Sequence, residues 1–129
     1  MNKAIVLLSG GLDSVVSLAV IKEKCSEIIG ITFNYGQKSY LAEKRAAEKV
    51  SKYYGIEDKI IDLDWLSIIS TSSLTTKDTI PYISKDNLDN KLIAQNTAKS
   101  VWVPNRNGLF VNIAACFAEA YNFDTIIIG

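Results

Sequence analysis

Residues 4–8 form an unbroken apolar run of strand length, with no polar residue alternating through it. Such a run predicts a strand covered on both faces, as in a parallel sheet. The period then changes. Residues 12–24 have helical spacing, with Leu12, Val15, Val16, Ala19 and Val20 expected on one apolar side. Lys22 and Lys24 fall at the C-terminal end, where the helix dipole favours cations. Residues 27–33 predict a second strand. Residues 39–54 predict a second helix with Ala42, Ala46, Val50 and Tyr53 as its stripe, Glu48 and Lys52 one turn apart, and Gly55 just past the end. Residues 59–63 predict a third strand.

The pattern lapses between 65 and 103, where Ser and Thr crowd 67–79. A connection this long is uncommon inside a domain and is expected to be an irregular insertion serving as a lid or binding loop, with room for a short helix over 87–99. Trp65 and Trp102 bracket it and are expected to anchor it by packing. Periodicity returns at 108–121, apolar around most of its circumference, which predicts a buried helix with Cys116 as a small core residue. Residues 124–128 predict a fourth strand. The order is β-α-β-α-β, the insertion, then α-β. It predicts an α/β fold, a parallel doubly wound sheet with right-handed crossovers. Ligands of such sheets lie beyond the carboxyl ends of the strands, which directs attention to 9–14, 34–38 and the insertion.

Composition narrows the class. The chain has 129 residues, enough for one domain, and is 48% hydrophobic and 22% charged, which excludes disorder as its main state. Lys and Arg number 14 and so do Asp and Glu, a balance that speaks against gripping nucleic acid through its phosphates. No apolar run approaches the ~20 residues of a membrane helix. The apolar run after Met1-Asn2-Lys3 is too short for a secretory signal. Cys25 and Cys116 are far apart, so neither a disulfide framework nor a complete zinc site is expected, and the cytoplasm is the expected compartment. The absence of His excludes His-based triads and imidazole acid–base catalysis.

Chemistry concentrates in Ser9-Gly10-Gly11-Leu12-Asp13-Ser14, between the first strand and the first helix. Glycines allow close backbone approach to a ligand and conformations closed to other residues. Unpaired N–H groups at a helix start favour an anion, and Ser9 and Ser14 add hydroxyls. Asp13 beside a phosphate requires a cation between them, and Mg²⁺ held by phosphate oxygens satisfies that. Neither Gly-x-x-x-x-Gly-Lys-[Ser/Thr] nor Gly-x-Gly-x-x-Gly is present. The alternative is a glycine turn capped by Ser and Asp with no ligand.

Ser-Gly-Gly-x-Asp-Ser in this position resembles the PP-loop of the ATP pyrophosphatase superfamily, whose members cleave ATP between the α and β phosphates and adenylylate an oxygen. Three further stretches narrow the resemblance: Thr32-Phe33-Asn34-Tyr35-Gly36-Gln37-Lys38, Ser73-Leu74-Thr75, and Trp102-Val103-Pro104-Asn105-Arg106-Asn107-Gly108-Leu109-Phe110. Together they resemble the 7-cyano-7-deazaguanine synthase family of the queuosine pathway, from the first strand to Gly129. The family usually has Gly where Asn105 stands, a mild departure because Asn tolerates left-handed backbone.

The resemblance implies an adenine nucleotide alpha-hydrolase-like fold. It also implies an ATP-dependent ligase that joins 7-carboxy-7-deazaguanine and ammonia into a nitrile. The rivals are a tRNA-thiolating or lysidine-forming PP-loop enzyme and a non-catalytic nucleotide-binding module. The implied nucleotide set is Leu8, Ser9, Gly10, Gly11, Leu12, Asp13 and Ser14 with Phe33 and Tyr35. Asp13, Lys38 and Arg106 are the expected catalytic residues, the two cations neutralising pyrophosphate or holding the substrate carboxylate. For both cations the alternative is a solvated surface role, and for Asn107 it is a helix cap. Members of the family carry zinc-binding cysteines beyond the position of Gly129. The expectation is therefore an N-terminal portion that holds ATP with Mg²⁺, binds no zinc, makes no nitrile alone, and self-associates, as a homodimer, through the surface left by its last strand.

Overall fold

Ala4, Ile5 and Val6 are fully buried in β1 (Asn2–Leu7), as their unbroken apolar run requires. The computed structural model describes residues 2–9, 11–70, 103 and 105–129. After β1 come α1 (Leu12–Lys22), β2 (Cys25–Asn34), α2 (Tyr40–Tyr54), β3 (Glu57–Asp62), α3 (Asp64–Ile69), α4 (Arg106–Tyr121) and β4 (Thr125–Ile127). The strands form one sheet in the order β3-β2-β1-β4, with β1 parallel to both β2 and β4. This is the α/β parallel architecture that the alternation predicts. Of the irregular insertion expected over 65–103, residues 65–69 are helical, which corrects it there; 71–102, with the helix over 87–99, Ser73 to Thr75 and Trp102, lie outside the described residues, as does Gly10. Trp65 is half exposed on α3, a short helix not foreseen from the sequence.

The chain divides into two units. The first comprises Met1–Phe33, Leu41–Asp62 and Asn105–Gly129. On one face of its sheet, Val6, Leu8 and Ile28 pack with Leu18 of α1 and Ala47 of α2. Neighbours in register share a face, and Ile5 is opposite Ile29 and Leu7 opposite Ile31 on the other one. There Phe33 stacks on Phe110 of α4 with ring centroids 3.9 Å apart and planes 5° apart. The sheet is thus covered on both sides. Strand order reverses at β1, whose neighbours are reached by crossovers on opposite faces, so β1 marks the switch point.

The faces of the helices correct the expected stripes. In α1 the buried residues are Ser14 and Leu18, with Ile21 packed against the core; Leu12, Val16 and Val20 are exposed. In α2 the buried residues are Ala47 and Ser51, flanked by Val50 and Tyr54, while Tyr53 is 82% exposed. Glu48 faces Lys44 at 4.0 Å. In α4 only Ala114 and Ala118 are buried, and Cys116 is exposed. Each helix carries apolar residues on more than one side, so spacing alone did not choose the side that meets the sheet.

Helix ends follow local chemistry. Gly55 has φ +66, and the N–H groups of Gly55 and Ile56 donate to Lys52 O and Ser51 O at 3.3 and 2.9 Å, the two bonds of a Schellman end. Asn122, at φ 60, ends α4 in the same manner, with Phe123 N–H on Ala118 O at 2.7 Å.

Thr32 and Asp58 couple β2 to β3. The Thr32 hydroxyl, 1% exposed, lies 2.8 and 3.0 Å from the two Asp58 carboxylate oxygens. Burial pushes the Asp58 carboxyl up from its ordinary 3.8, the Thr32 hydrogen bond pulls it down, and the charge of Glu48 adds to the rise. The net shift is upward, so the folded state holds this proton more tightly than the unfolded state. This group's contribution to stability is therefore best below pH 3.8 and falls as pH rises through the folded value. Asp58→Asn keeps an acceptor without the charge. It is expected to melt at or above the parent temperature at pH 7 and level with it near pH 3.5. Asp58→Ala removes the acceptor of a buried hydroxyl and is expected to lose about 1–3 kcal/mol at either pH. Melting curves at the two pH values check both.

The second unit comprises Asn34–Tyr40 and the stretch from Leu63 to Pro104, of which 63–70 and Val103 are described. Its loop is fixed by its own side chains. Gly36 has φ +82, its N–H donates to Asn34 Oδ1 at 3.3 Å, and Tyr35 N–H donates to the buried Gln37 Oε1 at 2.9 Å. Leu63 N–H donates to Asn34 O at 2.7 Å, and Leu66 of α3 is buried.

Candidate functional site

The residues from Leu8 to Ser14 link the carboxyl end of β1 to the N-terminus of α1. Leu8 is buried and its N–H donates to Ile31 O at 2.8 Å, which ties the start of the loop to β2. Ser9 is exposed, and its Oγ accepts the Gly11 N–H at 3.3 Å. Gly11 is the N-cap of α1 and provides no side-chain cap. The first intrahelical bond runs from Val15 N–H to Gly11 O at 3.1 Å. The N–H groups of Leu12, Asp13 and Ser14 therefore precede the ladder at the positive end of the helix dipole.

Gly11 has φ −74 and ψ 165, a conformation open to any residue. This corrects the expectation that the glycine is needed for its backbone angles. What it supplies is space: a Cβ there would meet Ser9 Oγ at 3.3 Å. The Ser14 hydroxyl is buried and donates to Gly11 O at 2.9 Å, closing the turn from within. Leu12 and Asp13 are exposed at the helix start, Leu12 at 78%. A carboxylate there, beside N–H groups that favour an anion, fits a magnesium-bound phosphate chain.

Gly129 is a participant that sequence reasoning missed. A Cβ on it would lie 2.6 Å from both Cα and N of Ser14 and 2.7 Å from the Asp13 carbonyl carbon. Backbone from the far side of β4 is thus seated on the first turn of α1, and glycine permits the approach. A glycine directly after a strand was the available signal.

Helices of parallel βαβ crossovers begin at the carboxyl side of the sheet, and the Phe33–Phe110 stack fixes the first turns of α4 against the end of β2. Phe33 is buried and turns its ring to that stack. Arg106 is the first residue of α4, half-buried, with Nε donating to Asn107 Oδ1 at 3.4 Å. Asn105, the N-cap, is left-handed at φ 44 and ψ 35 and makes no side-chain cap bond. The structure brings Leu8, Ser9, Gly11, Leu12, Asp13, Ser14, Phe33 and Arg106 into the first unit. Tyr35 and Lys38 lie in the second, Tyr35 buried and Lys38 exposed. Among the described residues no three His, Cys, Asp or Glu side chains gather in a group able to hold a metal ion, and Cys25 and Cys116 are both free thiols. No helix of the described residues is long and apolar enough to cross a membrane.

Comparison with known proteins supplies the family. The chain is 50% identical over 128 residues to the 7-cyano-7-deazaguanine synthase of Methanobrevibacter smithii, covering 99% of this chain and 56% of the relative. It is 46% identical over 131 residues to that of Methanosarcina mazei, covering 98% and 57%. For that of Bdellovibrio bacteriovorus the identity is 44%, covering 99% and 56%. The chain thus spans little more than half the length of the curated relatives it matches. A family model described as Queuosine biosynthesis protein QueC matches residues 3–129, and the chain belongs to that family.

Proposed function

We propose that this chain is the ATP-binding portion of a 7-cyano-7-deazaguanine synthase, an ATP-dependent carbon–nitrogen ligase of queuosine biosynthesis. The carrying observation is the start of α1: three first-turn N–H groups, a glycine N-cap without a side chain, and an exposed Asp13, all at the switch point of a parallel sheet. The names of the relatives supply the substrate class.

The residues divide the work as follows. The first-turn N–H groups of α1 hold the phosphates of ATP and take up charge as pyrophosphate leaves. Asp13 would hold the Mg²⁺ that accompanies ATP and neutralises its phosphate oxygens. Leu8, directly after β1, and Phe33, one residue before the end of β2, offer backbone to the adenine. Arg106 clamps an anion, either the departing pyrophosphate or the substrate carboxylate, and Lys38 is the second cation of the proposed set. A carboxylate oxygen of 7-carboxy-7-deazaguanine bonds to the α-phosphorus as the α–β bridging bond breaks. Ammonia adds to the acyl carbon, AMP leaves, and a proton is lost, giving the amide. The amide oxygen is adenylylated by a second ATP with release of pyrophosphate, and loss of AMP and both N–H protons leaves the nitrile. Catalysis on this reading is positioning and electrostatics.

Gly11→Val tests the phosphate cradle. Its backbone angles suit valine, and among the described residues only the movable Ser9 hydroxyl is in the way, so the variant is expected to fold. A branched side chain at the N-cap stands where phosphate must meet backbone. Affinity for Mg·ATP is expected to fall at least tenfold, about 1.4 kcal/mol, by isothermal titration. Parent-like affinity in a folded variant would remove the cradle. For the reaction, ATP-to-AMP conversion in the protein of full family length should depend on the carboxylated deazaguanine and yield nitrile with ammonia. Conversion indifferent to that substrate would sink the assignment.

A further inference from the structure

We propose that Asn105 and Gly108 act as one steric unit that sets the first turn of α4 and, through it, the aim of Arg106. Asn105 is left-handed, and its backbone carbonyl accepts the Leu109 N–H at 3.0 Å. Its side-chain amide lies where a side chain at 108 would project. A Cβ on Gly108 would run into Asn105 Oδ1 and come within 3.0 Å of Cγ and 3.1 Å of Nδ2. The whole amide thus fills the volume that the glycine leaves empty.

Between the two lie Arg106 and Asn107, joined by the 3.4 Å hydrogen bond from Arg106 Nε to Asn107 Oδ1. A side chain at 108 must expel the Asn105 amide. With residue 105 held left-handed, the amide has few rotamers to move to, and the displaced group presses on the turn that carries Arg106. Neither residue need touch substrate; both are positioning residues. The functional consequence rests on the reading of Arg106 as an anion clamp.

Four ¹⁵N-labelled proteins test the pair: parent, Asn105→Gly, Gly108→Ala, and the double variant. Ala in place of Gly inside a helix ordinarily stabilises it. Here Gly108→Ala alone is expected to give no rise in Tm and to shift the Arg106 Nε–Hε cross-peak. The double variant should restore that cross-peak and melt above the level obtained by adding the two single shifts. Additive Tm changes, or an unmoved cross-peak in Gly108→Ala, would overturn the proposal. Titration with Mg·ATP adds the functional arm: Gly108→Ala should weaken binding about threefold or more, and the double variant should recover it. If the parent protein binds no Mg·ATP, the anion-clamp reading fails, while the cross-peak and the melting cycle still decide whether the two residues are coupled.

Discussion

Replacing Arg106 by Lys in the protein of full family length is expected to lower kcat/KM about a hundredfold, with little change in melting temperature. The argument begins with where the residue sits. A cation at the first position of a helix faces the positive end of the dipole, where it is disfavoured by a few tenths to about 1 kcal/mol. Arg106 has that place in α4, where its Nε donates to Asn107 Oδ1 at 3.4 Å. An anion bound beside that terminus would reverse the sign of the local electrostatics. Lysine keeps the charge but loses the planar fork that binds a carboxylate or phosphate through two parallel bonds. The loss should fall on kcat if the partner is departing pyrophosphate and on KM if it is the substrate carboxylate. Parent-like kcat and KM with a lowered Tm would instead make Arg106 a structural residue.

Much of this architecture is legible in the chain because each signal is local. The run from Ala4 to Leu8 can be covered only on both faces, and Gly55 ends α2 because the helix needs a left-handed residue there. The loop from Ser9 to Ser14 is recognisable because glycines and serines fall together between a strand and a helix start, where unpaired N–H groups favour an anion. What was misread depends on the tertiary partner. Leu12, Val16 and Val20 make an apolar stripe on α1 as good as the one through Leu18, and only contact with Val6, Leu8 and Ile28 selects the latter. The same holds for Cys116, which lies on an apolar helix yet away from the side defined by Ala114 and Ala118. Gly129 on Ser14 and Asp58 on Thr32 join residues 115 and 26 positions apart, beyond the reach of any periodicity.

Gly30→Val is expected to cost more than a typical core change, although valine is a good strand residue and glycine a poor one. Gly30 pairs with Val6 across β1 and β2 and faces the α1 and α2 side. Its missing side chain is the space in which two others meet. A Cβ there would lie 2.6 Å from Leu8 Cδ1 and 2.9 Å from Asp58 Oδ1. Leu8 is buried and cannot retreat outward, and Asp58 is held by the Thr32 hydroxyl. Overpacking of this kind costs about 1–3 kcal/mol, and displacing Asp58 from a buried donor adds about 1–3 kcal/mol. Tm should drop by about 10 °C or more for a domain of this size. The effect should also reach the nucleotide, because Leu8 runs directly into Ser9, so Mg·ATP affinity should weaken even below the new Tm. Leu8→Ala in the Gly30→Ala background opens the crowded side and should restore part of the loss, whereas Leu8→Ala alone only makes a cavity. A Gly30→Val protein that melts with its parent would show that the space between Leu8 and Asp58 is not under pressure.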